Sequence, residues 1–142
     1  MGSITKEEIH KEIDLIQDCI KRMSQNSFAV KGWFIGLYVV ALGLLPQKIN
    51  IMLLCTILSI STVLFWYLDA YFLRQEKRYR NIYKWVLEKR SREDRLLQYH
   101  LEPKEFENQS GIEKASCTVR CMFSRTIFPF YLIPLILVII VG

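Results

Sequence analysis

The chain has 142 residues and a net charge of +5, with 51 % hydrophobic and 23 % charged residues. That is enough for one domain, and the mixture suits apolar membrane spans joined to a charged portion outside the bilayer. It excludes a disulfide scaffold: Cys55 falls inside an apolar run, and Cys19, Cys117 and Cys121 fall on segments assigned below to the cytoplasm, where thiols stay reduced.

The N-terminus is charged and lacks an early apolar core, so no cleavable signal peptide is expected. Lys6 stands where a myristoylation motif needs Ser or Thr. Residues 1–27 predict a cytoplasmic amphipathic helix. Thr5 and Glu8 form a capping box at its start. Ile9, Ile13, Ile16, Ile20 and Met23 follow at spacings of 4, 3, 4 and 3, a heptad seam. The seam suits packing on the same domain or on the membrane surface, or a short coiled coil between subunits. Ser24-Gln25-Asn26-Ser27 is expected to end the helix.

Residues 28–45 predict the first span. Its single charge, Lys31, can snorkel to the headgroups. Gly32 and Gly36 make a G-x-x-x-G pair, extended by Ala29 and Gly43, and small residues on one face let another helix approach. Contact with the second span of the same chain is the expected use. A tight turn at 46–50 then makes a hairpin of two antiparallel spans, the second at 49–68.

Along the second span Cys55, Ser59, Thr62, Trp66 and Asp69 recur at spacings of 4, 3, 4 and 3. This polar stripe predicts hydrogen bonding to a neighbouring helix, or the lining of a pore between subunits. Phe65, Trp66, Tyr67, Tyr71 and Phe72 form an aromatic belt at headgroup depth. Asp69 is the first charge beyond the span, and its expected partner is Arg74 or a cation of a neighbouring helix. No Gly or Pro interrupts the run, so the helix should continue to about Arg90.

Residues 69–122 read as a cytoplasmic helical region. Arg74, Lys77, Arg78, Arg80 and Lys84 begin a basic helix whose most economical partner is anionic lipid, with a phosphate-bearing signal nucleotide also suited to it. Nucleic acid is not the expected partner. Leu96, Leu97, Tyr99 and Leu101 suggest a short helix before Pro103. Ile112 should open another, with Cys117, Cys121 and Ser124 on one face. Two cysteines four apart need two more ligands for zinc, so no metal or other cofactor is expected.

Residues 123–142 predict a third span or a re-entrant segment: the apolar run from 126 to 141 is short and carries Pro129 and Pro134. Thirteen Lys and Arg lie in 74–125 and only Lys48 in the turn between the first two spans. The positive-inside rule therefore places the N-terminus and the middle region in the cytoplasm.

There is no nucleotide-binding glycine loop, no HExxH and no serine triad pattern. Arg95 and His100 have the R-x4-H spacing that resembles the motif of HEPN ribonucleases, where Arg and His meet at the scissile phosphate. No catalytic residue is otherwise assigned, and the chain is not expected to be an enzyme. A membrane anchor for a cytoplasmic partner is the non-catalytic alternative to the reading that follows.

The run at 66–80, WYLDAYFLRQEKRYR, is similar to a stretch found in small bacterial membrane proteins. The layout of N-terminal helix, two-span hairpin and long cytoplasmic helix resembles the SLATT-type effectors of anti-phage and nucleotide-signalling systems. The resemblance implies a homo-oligomeric effector of the inner membrane that perforates or depolarises it when infection is sensed.

Overall fold

The computed structural model of the chain describes residues 5–44, 50–92, 94–109 and 117–141. It is all-helical, with no strand among the described residues: α1 (Lys6–Leu44), α2 (Ile51–Ser91), α3 (Pro103–Phe106), α4 (Thr118–Met122) and α5 (Ile127–Val141). The expected turn at 46–50, apart from Asn50, and the expected helix start at Ile112 lie outside the described residues.

The capping signals act locally. The Thr5 N–H donates to Glu8 Oε2 at 3.0 Å, closing one half of the capping box at the head of α1. Asn50 caps α2, its Oδ1 accepting from the N–H groups of Met52 at 3.1 Å and Leu53 at 3.3 Å.

At ~1.5 Å per residue, α1 and α2 are each ~60 Å long. They run antiparallel side by side: Glu12 meets Arg90, Ser27 meets Asp69, and Tyr38 meets Thr62. Residue numbers of partners sum to roughly 100 throughout, the mark of one continuous register.

One expectation is corrected, and one set of open readings is narrowed. Ser24-Gln25-Asn26-Ser27 does not end α1, which passes through it without a break. Ser and Asn are only mildly poor helix formers, no Gly or Pro is present, and packing against α2 on both sides outweighs the deficit. The heptad seam is also not free to join subunits. Ile16 is 1 % exposed against Ile82, Trp85 and Val86, with Ile20 packed beside them, so α2 of the same chain fills the seam.

The hairpin has two unlike halves. In the polar half, Ile16, Ile82, Trp85, Val86 and Phe106 form a core that α3 closes, Trp85 and Phe106 meeting edge to face at 5.4 Å. In the apolar half, Phe34, Trp66, Ile127 and Tyr131 form a second core, and Ala41, Leu58 and Val138 a third. α5 lies along α2 there, Tyr131 stacked on Trp66.

Two helices, α1 and α2, are long and apolar enough to cross a membrane. Only 22 % and 17 % of their apolar windows are buried. A soluble core helix would be mostly covered. Here Phe28, Trp33, Val39, Val40, Met52, Ile60 and Leu64 face outward, a surface that suits hydrocarbon as its solvent. The 15 residues of α5 reach only ~22 Å, less than the ~30 Å of a bilayer core.

Candidate functional site

Where the two halves of the hairpin join, three helices converge on one carboxylate. Asp69 on α2 is completely buried. Ser27 and Lys31, one turn apart on α1, both reach it: Lys31 Nζ lies 2.5 Å from Asp69 Oδ2, and the Ser27 hydroxyl donates to Oδ1. Lys31 Nζ also donates to Ser27 Oγ at 3.0 Å, and the Tyr131 hydroxyl of α5 donates to Asp69 Oδ2 at 3.3 Å. Both carboxylate oxygens are thereby satisfied, as a buried charge requires. Lys31 is therefore not simply a headgroup-seeking cation: of the two expected partners of Asp69, the cation of a neighbouring helix is the one present, and not Arg74.

Two more residues of the polar stripe, Thr62 and Trp66, also bond within the chain. The Tyr38 and Thr62 hydroxyls are hydrogen-bonded at 2.7 Å, and Thr62 Oγ1 donates back to the Leu58 carbonyl. Trp66 Nε1 donates to the Met122 carbonyl at 2.9 Å, tying α4 to α2. Cys55 is half-buried against the Ala41, Leu58 and Val138 core, and Ser59 is half-buried as well. Thr62, Trp66 and Asp69 thus bond to α1, to the Met122 carbonyl of α4 and to α5 of the same chain.

The glycines do the opposite of what their motif suggests. Gly32, Gly36 and Gly43 are exposed, and a Cβ built on any of them meets nothing within 4 Å. The side of α1 that packs on the rest of the chain is formed by Val30, Phe34 and Ala41 instead. The glycine face forms the floor of an open apolar groove of about 660 Å³, walled by Ala29, Trp33, Leu37, Val40 and Phe65.

A second buried ion pair closes the polar half, and neither member was singled out from the sequence. Arg90 Nε and Nη2 each donate to Glu12 at 2.7 Å, a bidentate fork with both side chains 1 % exposed. The same guanidinium donates to the carbonyls of Asp94 and Leu96, and the Tyr99 N–H donates to Glu12 Oε1 at 3.1 Å. This wrap bends the backbone into turns with φ of 54° at Leu97 and 63° at Tyr99, so the expected short helix before Pro103 does not form. The 78-residue separation hid the pair. The one available signal was that Glu12, Ile16, Cys19 and Met23 also keep a 4, 3, 4 spacing.

Around this wrap two exposed carboxyls are held below their ordinary values. Glu8 is lowered first by the hydrogen bond from the Thr5 backbone, and Asp94 first by the Leu96 N–H, then by Lys89. Arg95 pairs with Glu8 at 3.7 Å and His100 with Glu105 at 2.5 Å. The R-x4-H residues thus sit on a bent turn with separate partners, without the shared helix that spacing assumes.

The basic stretch divides. Arg78 pairs with Glu107 at 2.7 Å, Arg80 pairs with Glu76 at 2.7 Å, and Arg74 donates to Thr118 Oγ1. Lys77 and Lys84 face solvent. Cys117 is exposed and Cys121 buried, and no cluster that could hold a metal occurs among the described residues. No family model, curated protein or solved structure matches the chain.

Proposed function

We propose that the chain is a homo-oligomeric, non-catalytic effector of the bacterial inner membrane, which assembles through the glycine face of α1 and depolarises the membrane. α1 and α2 cross the bilayer with the N-terminus in the cytoplasm, and α5 enters it as a third, shorter segment. The observation that carries this reading is the open groove over Gly32 and Gly36. In lipid, apolar burial does not drive helices together, whereas close approach of small residues does, and this chain leaves its small-residue face unused. Any conducting path then runs between subunits and not along the Asp69 stripe.

Two differently tagged copies expressed together in bacterial membranes test the assembly. Wild-type copies should co-extract in detergent. Gly36→Leu puts a side chain into the groove, where a Cβ meets nothing within 4 Å, and should abolish co-extraction while membrane insertion persists. Undiminished pairing of the Leu variant would refute the glycine-face assembly.

A second reading has one observation in its favour. Gln17, Ile20, Lys21, Ser24, Gln25, Phe28 and Arg80 line a groove of about 520 Å³ on the polar half, which suits an anchor for a cytoplasmic protein. It predicts an unchanged membrane potential when the chain is produced alone.

A further inference from the structure

Arg74 is a permanent cation in a half-buried position, with no anion beside it among the described residues. Its Nη1 donates to Thr118 Oγ1 at a long 3.3 Å, and its Nε is buried with no partner. Among the described residues no carboxylate lies within ion-pair distance of it. Thr118 is itself 7 % exposed. One turn further on, Arg78 repeats the pattern: Glu107 and Gln75 take its Nη groups, and its Nε is buried and unpaired. One face of α2 thus carries two guanidinium groups, Arg74 against Thr118 of α4 and Arg78 against Glu107, with one carboxylate between them among the described residues.

A guanidinium cannot discharge by losing its proton, and buried polar groups without a partner mark a missing acceptor. The two orphaned N–H groups need an anion with several oxygens. Arg74 lies five residues beyond Asp69, ~7.5 Å along α2, and past the exposed Tyr67 and Tyr71. On the membrane reading this is headgroup depth, where lipid phosphates lie. We propose that Arg74, with Arg78 and Thr118, holds the phosphate of an anionic ligand in the α2–α4 seam, supplied by a lipid phosphodiester or by free phosphate. Only the lipid source rests on the membrane reading.

Native mass spectrometry of the full chain in a detergent with an uncharged headgroup tests the site, with phosphatidylglycerol as one probe and inorganic phosphate as the other. The wild type should retain phosphatidylglycerol, and Arg74→Gln should bind it about tenfold more weakly, the scale of a lost charged hydrogen-bond pair. Arg74→Lys keeps the charge but not the fork and should also weaken retention. Lys77→Gln, on the exposed side of the same helix, should not. Displacement of the lipid by inorganic phosphate assigns the site to free phosphate, and resistance assigns it to the lipid. Equal losses in Arg74→Gln and Lys77→Gln, or binding of neither probe by folded wild type, would overturn the proposal. A chain that stays in solution without detergent removes the membrane reading alone, since the phosphate arm still interrogates the seam.

Discussion

Glu12 and Arg90 show how one pair can organise a region the sequence leaves shapeless. Removing the Glu12 carboxylate leaves the Arg90 guanidinium buried without its anion, so Glu12→Gln should cost about 3 kcal/mol in detergent unfolding. An unchanged midpoint would mean that the pair is not closed in solution. At the helix junction the burial is unequal, and the consequences should be too. Lys31 is 27 % exposed and Asp69 not at all. Lys31→Met leaves a fully buried carboxylate without its cation, whereas Asp69→Asn leaves a lysine that can turn outward. The first should destabilise by about 3 kcal/mol and the second by about 1 kcal/mol, and the reverse order in thermal unfolding would contradict the assignment. Acid acts on the exposed carboxyls. Glu8 and Asp94 titrate below their unfolded values, so what they contribute is present in full at neutral pH and is lost as the pH falls below about 4. Protection of the Leu96 amide, normalised to its intrinsic exchange rate, should fall across that range. At this scale the sequence marked Asp69 as unusual from its place at the end of an uncharged run. It could not supply Lys31, Ser27 or Tyr131, because partners 38, 42 and 62 residues away are set by helix register.

Among the elements, α2 was legible and α1 only in halves. An uncharged run followed by charges with no Gly or Pro dictates one long helix, and α2 is one. Residues 6–31 of α1 also lack Gly and Pro, yet the polar cluster at 24–27 looked like a boundary because local composition outweighed the absence of a true breaker. Continuity has a direct test: Gln25 is exposed, so Gln25→Pro removes a backbone hydrogen bond and kinks the helix without deleting a packed side chain. It should cost about 3 kcal/mol in a continuous helix, and a silent substitution would make 24–27 a linker. The glycine motif was expected to meet α2 and does not, and the face of α1 that does meet it was not legible. Val30, Phe34 and Ala41 recur on the opposite side of α1 with the same helical period, so spacing alone could not choose between the two.

For the whole molecule, the division into an apolar hairpin and a charged, self-closed half was readable from hydropathy and charge order. What hydropathy could not reveal is that Thr62, Trp66 and Asp69 of the polar stripe bond within one chain while the small-residue face is left open. On the proposed function, the open glycine face of α1 is the surface left for assembly. The decisive measurement is membrane potential, followed with a voltage-sensitive dye in bacteria induced to express the wild type or Gly36→Leu at matched levels. Depolarisation by the wild type and a normal potential with the Leu variant is the predicted result. A normal potential with both, or equal depolarisation by both, would contradict an effector that acts through its glycine face.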